Sequence, residues 1–189
     1  MTTSPSTPGG ASVPPPEAIA SIPPSESVVQ NFANLSAALT GFQPSFIRPF
    51  LDPVNLSGTF YVFAVSQVGQ TMMDTLLSAF SALSNQTPPL SPQAIADTLL
   101  EVSSATPSNQ AQLCQSIVAM WYLGSWYPPQ FQTNGLQQVI SSQAYTKSLA
   151  WNLAQAHPMG FSAFTFGYWS QPPASLETFG VNTGNGGGQ

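Results

Sequence analysis

Proline decides where this chain can be helical. Inside a helix it removes a backbone hydrogen bond and clashes with the preceding turn, so it belongs at helix starts and between helices. Residues 1–24 hold seven prolines and one charge, Glu17, which predicts an extended, polyproline-like arm. From Ser25 a helical pattern begins. Ser25 suits an N-cap, Val28, Phe32, Leu35 and Leu39 recur at three- and four-residue steps, and Gly41 supplies a stop. Pro44, Pro49 and Pro53 forbid a long helix next. A long helix is predicted from about Thr59 to Leu83, where Asn85-Gln86-Thr87-Pro88-Pro89 ends it. Its apolar face carries Phe60, Phe63, Val68, Met72, Leu76 and Phe80, and apolar residues almost all round it imply burial on more than one side.

Ser91-Pro92 opens a short helix to about Val102, and Thr106-Pro107 opens another through Trp121 to Leu123, closed by Gly124. A last helix is predicted from about Leu136 to Ala156, stopped by His157-Pro158. Beyond it the chain is apolar, aromatic and punctuated by Pro and Gly, without helical periodicity, and residues 183–189 form a Gly-rich tail. No run alternates well enough to predict a sheet. The expectation is one all-α domain of about five helices at 25–157, with an extended Pro-rich arm at 1–24 and a non-helical aromatic arm and tail at 158–189.

Charge sets the second constraint. Hydrophobic residues make up 42% of the chain but charged residues only 5%, against about 25% in a typical soluble domain. Either a partner covers much of the surface, since interface cores are poor in charge and rich in aromatics, or the protein lives in acid outside the cytoplasm, where a neutral polar surface changes little. The two readings are compatible. Two bases, Arg48 and Lys147, against seven acids argue against nucleic-acid binding and against a polybasic membrane contact. One cysteine, Cys114, excludes an internal disulfide, and in a helix it reads as a small buried hydrophobe. The stretch from Gly58 to Leu83 is interrupted by Ser66, Gln67, Gly69, Gln70 and Asp74, so it reads as a buried or docking helix, not a membrane span. Residues 1–16 have neither a basic nor an apolar leader region, so export is expected to rely on a signal already removed or on a partner.

Catalytic patterns are sparse. The one histidine, His157, stands at a predicted helix end, where an imidazole serves the helix dipole more often than it serves as a base. No G-x-S-x-G elbow, phosphate loop or metal-ligand spacing occurs, and the glycines of the tail lack the flanking strand and helix that a phosphate cradle needs. No catalytic, cofactor-binding or metal-binding residue is therefore expected in this chain. Aromatic residues remain. Trp121 and Trp151, on predicted helices, read as core. Phe161, Phe164, Phe166, Tyr168, Trp169, Pro172 and Pro173 lie on an arm without period, and such a stretch needs another surface to bury it, which makes them the expected partner interface. A free-standing helical binding protein, with aromatics around an apolar ligand or a sugar, is the alternative.

Four motifs stand in order along residues 31–176. They are Phe32-Ala33-Asn34-Leu35-Ser36-Ala37-Ala38-Leu39-Thr40-Gly41, then Met120-Trp121-Tyr122-Leu123-Gly124, then Ala144-Tyr145 with Leu149 and Trp151, and last Gly167-Tyr168-Trp169 with Pro172-Pro173. In this the chain resembles the small subunits of bacterial membrane-bound sugar and polyol dehydrogenases, of the fructose, sorbitol, glucose and gluconate dehydrogenase type. Trp121, Tyr122, Gly124, Tyr145, Trp151 and Gly167 carry the likeness outside the arm's interface residues.

The resemblance implies a heterotrimer at the periplasmic face of the inner membrane, reached by this chain only through the complex. A large subunit would hold FAD and oxidise the substrate, and a cytochrome c subunit would pass electrons through haem c to quinone. The small subunit would carry no cofactor and would support maturation, export and stability of the large one. His157-Pro158-Met159-Gly160-Phe161-Ser162 stands where related chains have Pro-Ser/Thr-Tyr, and the twin-arginine signal common in the family is missing. A quinoprotein alcohol dehydrogenase, with PQQ in place of FAD, is therefore an alternative host.

Overall fold

In the computed structural model, residues 23–154 together with Ala156 and Pro158 are described. The chain enters through Ser25, whose extended backbone starts helix α1 (Glu26–Thr40) and whose carbonyl accepts from the Val28 and Val29 N–H groups. Gly41 ends α1 in the left-handed region, φ 79°, with its N–H on the Ala37 carbonyl, as the sequence predicted. One turn, α2 (Pro44–Ile47), is all the helix that the Pro44–Pro53 interval holds.

The predicted long helix from Thr59 to Leu83 is two helices, α3 (Leu56–Val68) and α4 (Gln70–Ser84). Gly69 separates them at φ 84°, ψ 156°, a conformation open to glycine alone, and it ends the α3 ladder with its N–H on Val65. Asn55 starts α3 three residues earlier than expected, its side chain accepting from the Gly58 N–H. Gln70 bridges the break, donating to the Tyr61 hydroxyl at 2.8 Å and to Asp74 at 2.7 Å.

Ser91 caps α5 (Pro92–Leu100), with proline in the first turn as predicted. Helix α6 (Asn109–Leu123) is capped by Ser108 and not by Thr106, because the Ser108 hydroxyl accepts from the Ala111 N–H. The predicted final helix from Leu136 to Ala156 does not form as one rod. Gln138–Val139 is instead a short strand, β2, antiparallel to β1 (Ser125–Trp126), with Trp126 opposite Gln138. β-Branched Val139 and Ile140 favour that extended path. Ser141 then caps α7 (Ser142–Thr146), and α8 (Leu149–Leu153) follows after a turn at Lys147-Ser148.

The result is an all-α fold in which five helices, α1, α3, α4, α5 and α6, are nine residues or longer. Helix α1 is the hub and packs on α2, α3, α4, α5 and α6. That position explains why it buries Phe32, Ala33, Leu35 and Ser36 together, on more than one face. Phe60, Met73, Leu76, Leu113, Ile117 and Met120 complete the sealed centre. Each such large side chain stabilises the fold by about 1.5–3 kcal/mol relative to exposure. Among the described residues no helix is long and apolar enough to cross a membrane.

Candidate functional site

Three of the four sequence motifs converge at one end of α6. The Trp121 ring is 2% exposed and meets the Phe60 ring edge-on at 4.7 Å, so it is a core residue between α6 and α3. Tyr122, one position on, faces α1. Its hydroxyl donates to the Thr40 carbonyl at 2.9 Å, across 82 residues of sequence, and its ring meets Phe42 edge-on at 6.3 Å. The last turn of α1 is already occupied in a relay, Thr40 Oγ1 donating to Ser36 and Ser36 Oγ to Phe32. The free Thr40 carbonyl, left over at a helix C-terminus, is the group that Tyr122 satisfies. Burial pushes the Tyr122 phenol above its ordinary range.

Gly124 is required twice. It ends α6 at φ 64°, with its N–H on the Met120 carbonyl. A Cβ there would also lie 2.5 Å from the Ala144 carbonyl oxygen and 2.7 Å from the Tyr145 Cα. The second and third motifs therefore touch backbone to backbone, and the Gly124 carbonyl in turn accepts from the Ile140 N–H at 3.2 Å. Tyr145 and Trp151 form a third brace. Their rings are 5.5 Å apart edge-on, and the Trp151 indole N–H donates to the Tyr145 carbonyl at 2.9 Å. This bond folds α8 back on α7, and Trp151 is half-buried where the sequence placed it in the core.

Gly167 and the expected interface residues Phe161, Phe164, Phe166, Tyr168, Trp169, Pro172 and Pro173 lie outside the described residues, as do the Pro-rich arm up to residue 22 and His157. Next to the junction, Trp126 is fully buried against Phe63, at 5.9 Å, and the Gln132 side-chain amide donates to the Gln67 carbonyl. Sequence reasoning counted Trp126 among the aromatics without giving it a place, and did not pick out Ser141. The serine pair Ser141-Ser142 before Ala144 was the available cap signal.

Two further groups, Cys114 and Glu101, are shifted by their surroundings. Cys114 is sealed in α6, and burial, with a smaller contribution from the Glu101 charge, pushes its thiol up to about 12. The Glu101 carboxyl is held below its usual range by the hydroxyl and N–H of Ser108. No three His, Cys, Asp or Glu side chains among the described residues come together as a metal site. What this arrangement does chemically is brace: it ties the ends of α1 and α6 to α7 and α8.

No match is found for the chain among protein-family models, curated proteins or solved structures. The junction therefore stands on its own residues. Tyr122, Gly124, Tyr145 and Trp151 each hold one element against another, and Trp121 fills the centre that they surround.

Proposed function

We propose that this chain is a non-catalytic small subunit of a membrane-associated heteromeric dehydrogenase. In that role it stabilises, matures or helps to export a large subunit that oxidises a sugar, polyol or alcohol. Electrons pass from the large subunit's FAD, or alternatively PQQ, through a haem c subunit to quinone. The complex sits at the periplasmic face of the inner membrane, and this chain reaches the membrane only through its partners.

One observation carries the reading. The described residues of the first three motifs are spent on scaffold, namely a glycine turn, a tyrosine brace and a tyrosine–tryptophan clamp. A scaffold of this kind presents other surfaces to a partner, and a chain with 5% charged residues is suited to covered surfaces. The aromatic arm after Pro158 is the proposed wrapping element.

Affinity purification of the full-length chain from its native host tests this. The expected eluate contains a flavin- or PQQ-bearing large subunit and a c-type cytochrome, recognised by their absorption spectra. Truncation after Gly160 is expected to abolish assembly while leaving the helical circular dichroism intact. A truncated chain that assembles as well as the full-length one removes the arm from the interface, and a full-length chain that elutes alone removes the partner.

A second reading has one observation in its favour. A groove of about 560 Å³, lined by Pro23, Pro24, Val28, Tyr61, Val62 and Val65, lies along α3 and opens to solvent past Val62 and Ser66. Its size suits a small apolar ligand or a sugar. Saturable calorimetric binding of a hexose or a medium-chain fatty acid to the isolated chain would favour a free-standing binding protein.

A further inference from the structure

The groove of about 560 Å³ along α3 is walled in part by the first residues of the described chain. Pro23 and Pro24 line it, and residues 1–22 precede them, so the N-terminal arm leaves from the groove's own edge. Val28 of α1 and Tyr61, Val62 and Val65 of α3 supply its apolar surface, and among the described residues no charged side chain lines it. The Tyr61 hydroxyl accepts from Gln70 Nε2 at 2.8 Å and, among the described residues, donates to nothing. Its proton is available to a backbone carbonyl. Extended proline-rich segments dock in aromatic-lined grooves of this kind.

The arm carries a matching pattern. A polyproline helix repeats every three residues and rises about 3.1 Å per residue, so positions three apart share one edge. Pro16, Ile19 and Ile22 stand at that spacing, whereas Glu17, the one charged side chain of the arm, falls on another edge. Pro14, Pro15 and Pro16 favour the extended form before the isoleucines, and Pro23 disfavours helical backbone at Ile22 after them. Ile19 to Ile22 then spans about 9 Å, and α3 rises about 7.5 Å from Tyr61 to Ser66. Attachment at the rim decides the occupant. It raises the arm's effective concentration to the order of 1 mM, so a contact of only about 0.1 mM affinity is about 90% formed. A free ligand or a second copy has no such advantage.

We propose that residues 16–22 of the chain's own N-terminal arm seat in this groove as a polyproline-type segment, with Ile19 and Ile22 against Tyr61, Val62 and Val65. The proposal does not depend on the subunit reading, and it takes the groove from the small ligand of the second reading. It gives the arm a structural task, closing the open face of α3 beside the start of α1.

Glu17 makes the seat measurable, because a glutamyl endopeptidase cuts after it. In the purified full-length chain, release of residues 1–17 is followed by mass spectrometry, and each rate is divided by that of the matching synthetic peptide 12–25. When closing is fast, cleavage tracks the open fraction, so the wild-type ratio is expected to be about 0.1. The double variant Ile19→Ser, Ile22→Ser changes only the arm, and Val62→Gln changes only the groove rim, where Val62 is 46% exposed. Each is expected to speed cleavage about tenfold with helical circular dichroism unchanged. A wild-type ratio near one overturns the proposal. So does protection that the double variant removes and Val62→Gln leaves intact, since the arm then seats elsewhere. Benzoylphenylalanine at position 19, in a mixture of ¹⁴N- and ¹⁵N-labelled chains, reads the contact directly. Crosslinks to residues 61–66 within one isotopic form are expected, and crosslinks between forms or to other parts of the chain overturn the assignment.

Discussion

At the scale of single residues, two glycines separate conformational strain from steric exclusion. Gly41 and Gly124 both end helices at positive φ, but a Cβ on Gly41 meets nothing within 4 Å, whereas one on Gly124 meets the Ala144 backbone at 2.5 Å. Gly41→Ala is expected to cost about 1 kcal/mol, the strain of the left-handed region. Gly124→Ala adds an overpacking cost of about 1–3 kcal/mol, because backbone and not a flexible side chain must give way. Urea denaturation of the two variants checks the order, and equal losses would contradict it. Cys114 supplies a chemical test at the same scale. Its folded-state pKa, about 12, lies above the unfolded value of about 8.5. The neutral thiol therefore supports the fold fully below pH 8.5, and that support is lost as pH rises toward 12. At pH 8 a thiol reagent is expected to label the native chain about 100-fold more slowly than the urea-unfolded chain. Similar rates would mean that α6 opens readily.

Secondary-structure elements show which parts of the fold the sequence discloses. Where residue types mark a boundary, as Ser25 and Gly41 do for α1 and Ser91-Pro92 for the start of α5, the helix forms where it is expected, although the Ser25 hydroxyl makes no capping bond. The Tyr122–Thr40 bond and the contact of Gly124 with Ala144 join residues far apart in sequence, so no local pattern contains them, although each residue stood out within its motif. Two elements went astray for local reasons. A glycine inside an apolar periodic run is read as a tolerated weak point, yet Gly69 takes a conformation that stops α3, and Gln70 restarts the chain by bonding Tyr61. After Trp126, pairing of Gln138–Val139 with the β1 strand outweighs the helical spacing of Leu136 to Ala156. Gly69→Ala is accordingly expected to destabilise the chain by about 1–3 kcal/mol, although its Cβ would sit in open space. Thermal unfolding that leaves the midpoint unchanged would place the break elsewhere than in the Gly69 backbone.

The whole molecule is held almost without charge. Arg48–Glu26 is the one ion pair among the described residues, and the Glu26 side chain is 84% exposed, so it contributes at most about 1 kcal/mol. The melting midpoint is expected to change by less than about 2 °C between 50 and 500 mM sodium chloride, since there is little for salt to screen. A fall of many degrees would point to a charge network that the described residues do not contain. The same scarcity of charge, set beside the exposed Phe50 and Leu51, leaves a surface suited to being covered. Whether it is covered by a dehydrogenase is decided most directly by native mass spectrometry of the assembly purified from its host. The expected spectrum has this 19.9 kDa chain in fixed stoichiometry with a flavin- or PQQ-bearing subunit and a haem c subunit, and collisional activation releases it as a cofactor-free chain. A spectrum of the chain alone, or bound to itself, would contradict the account.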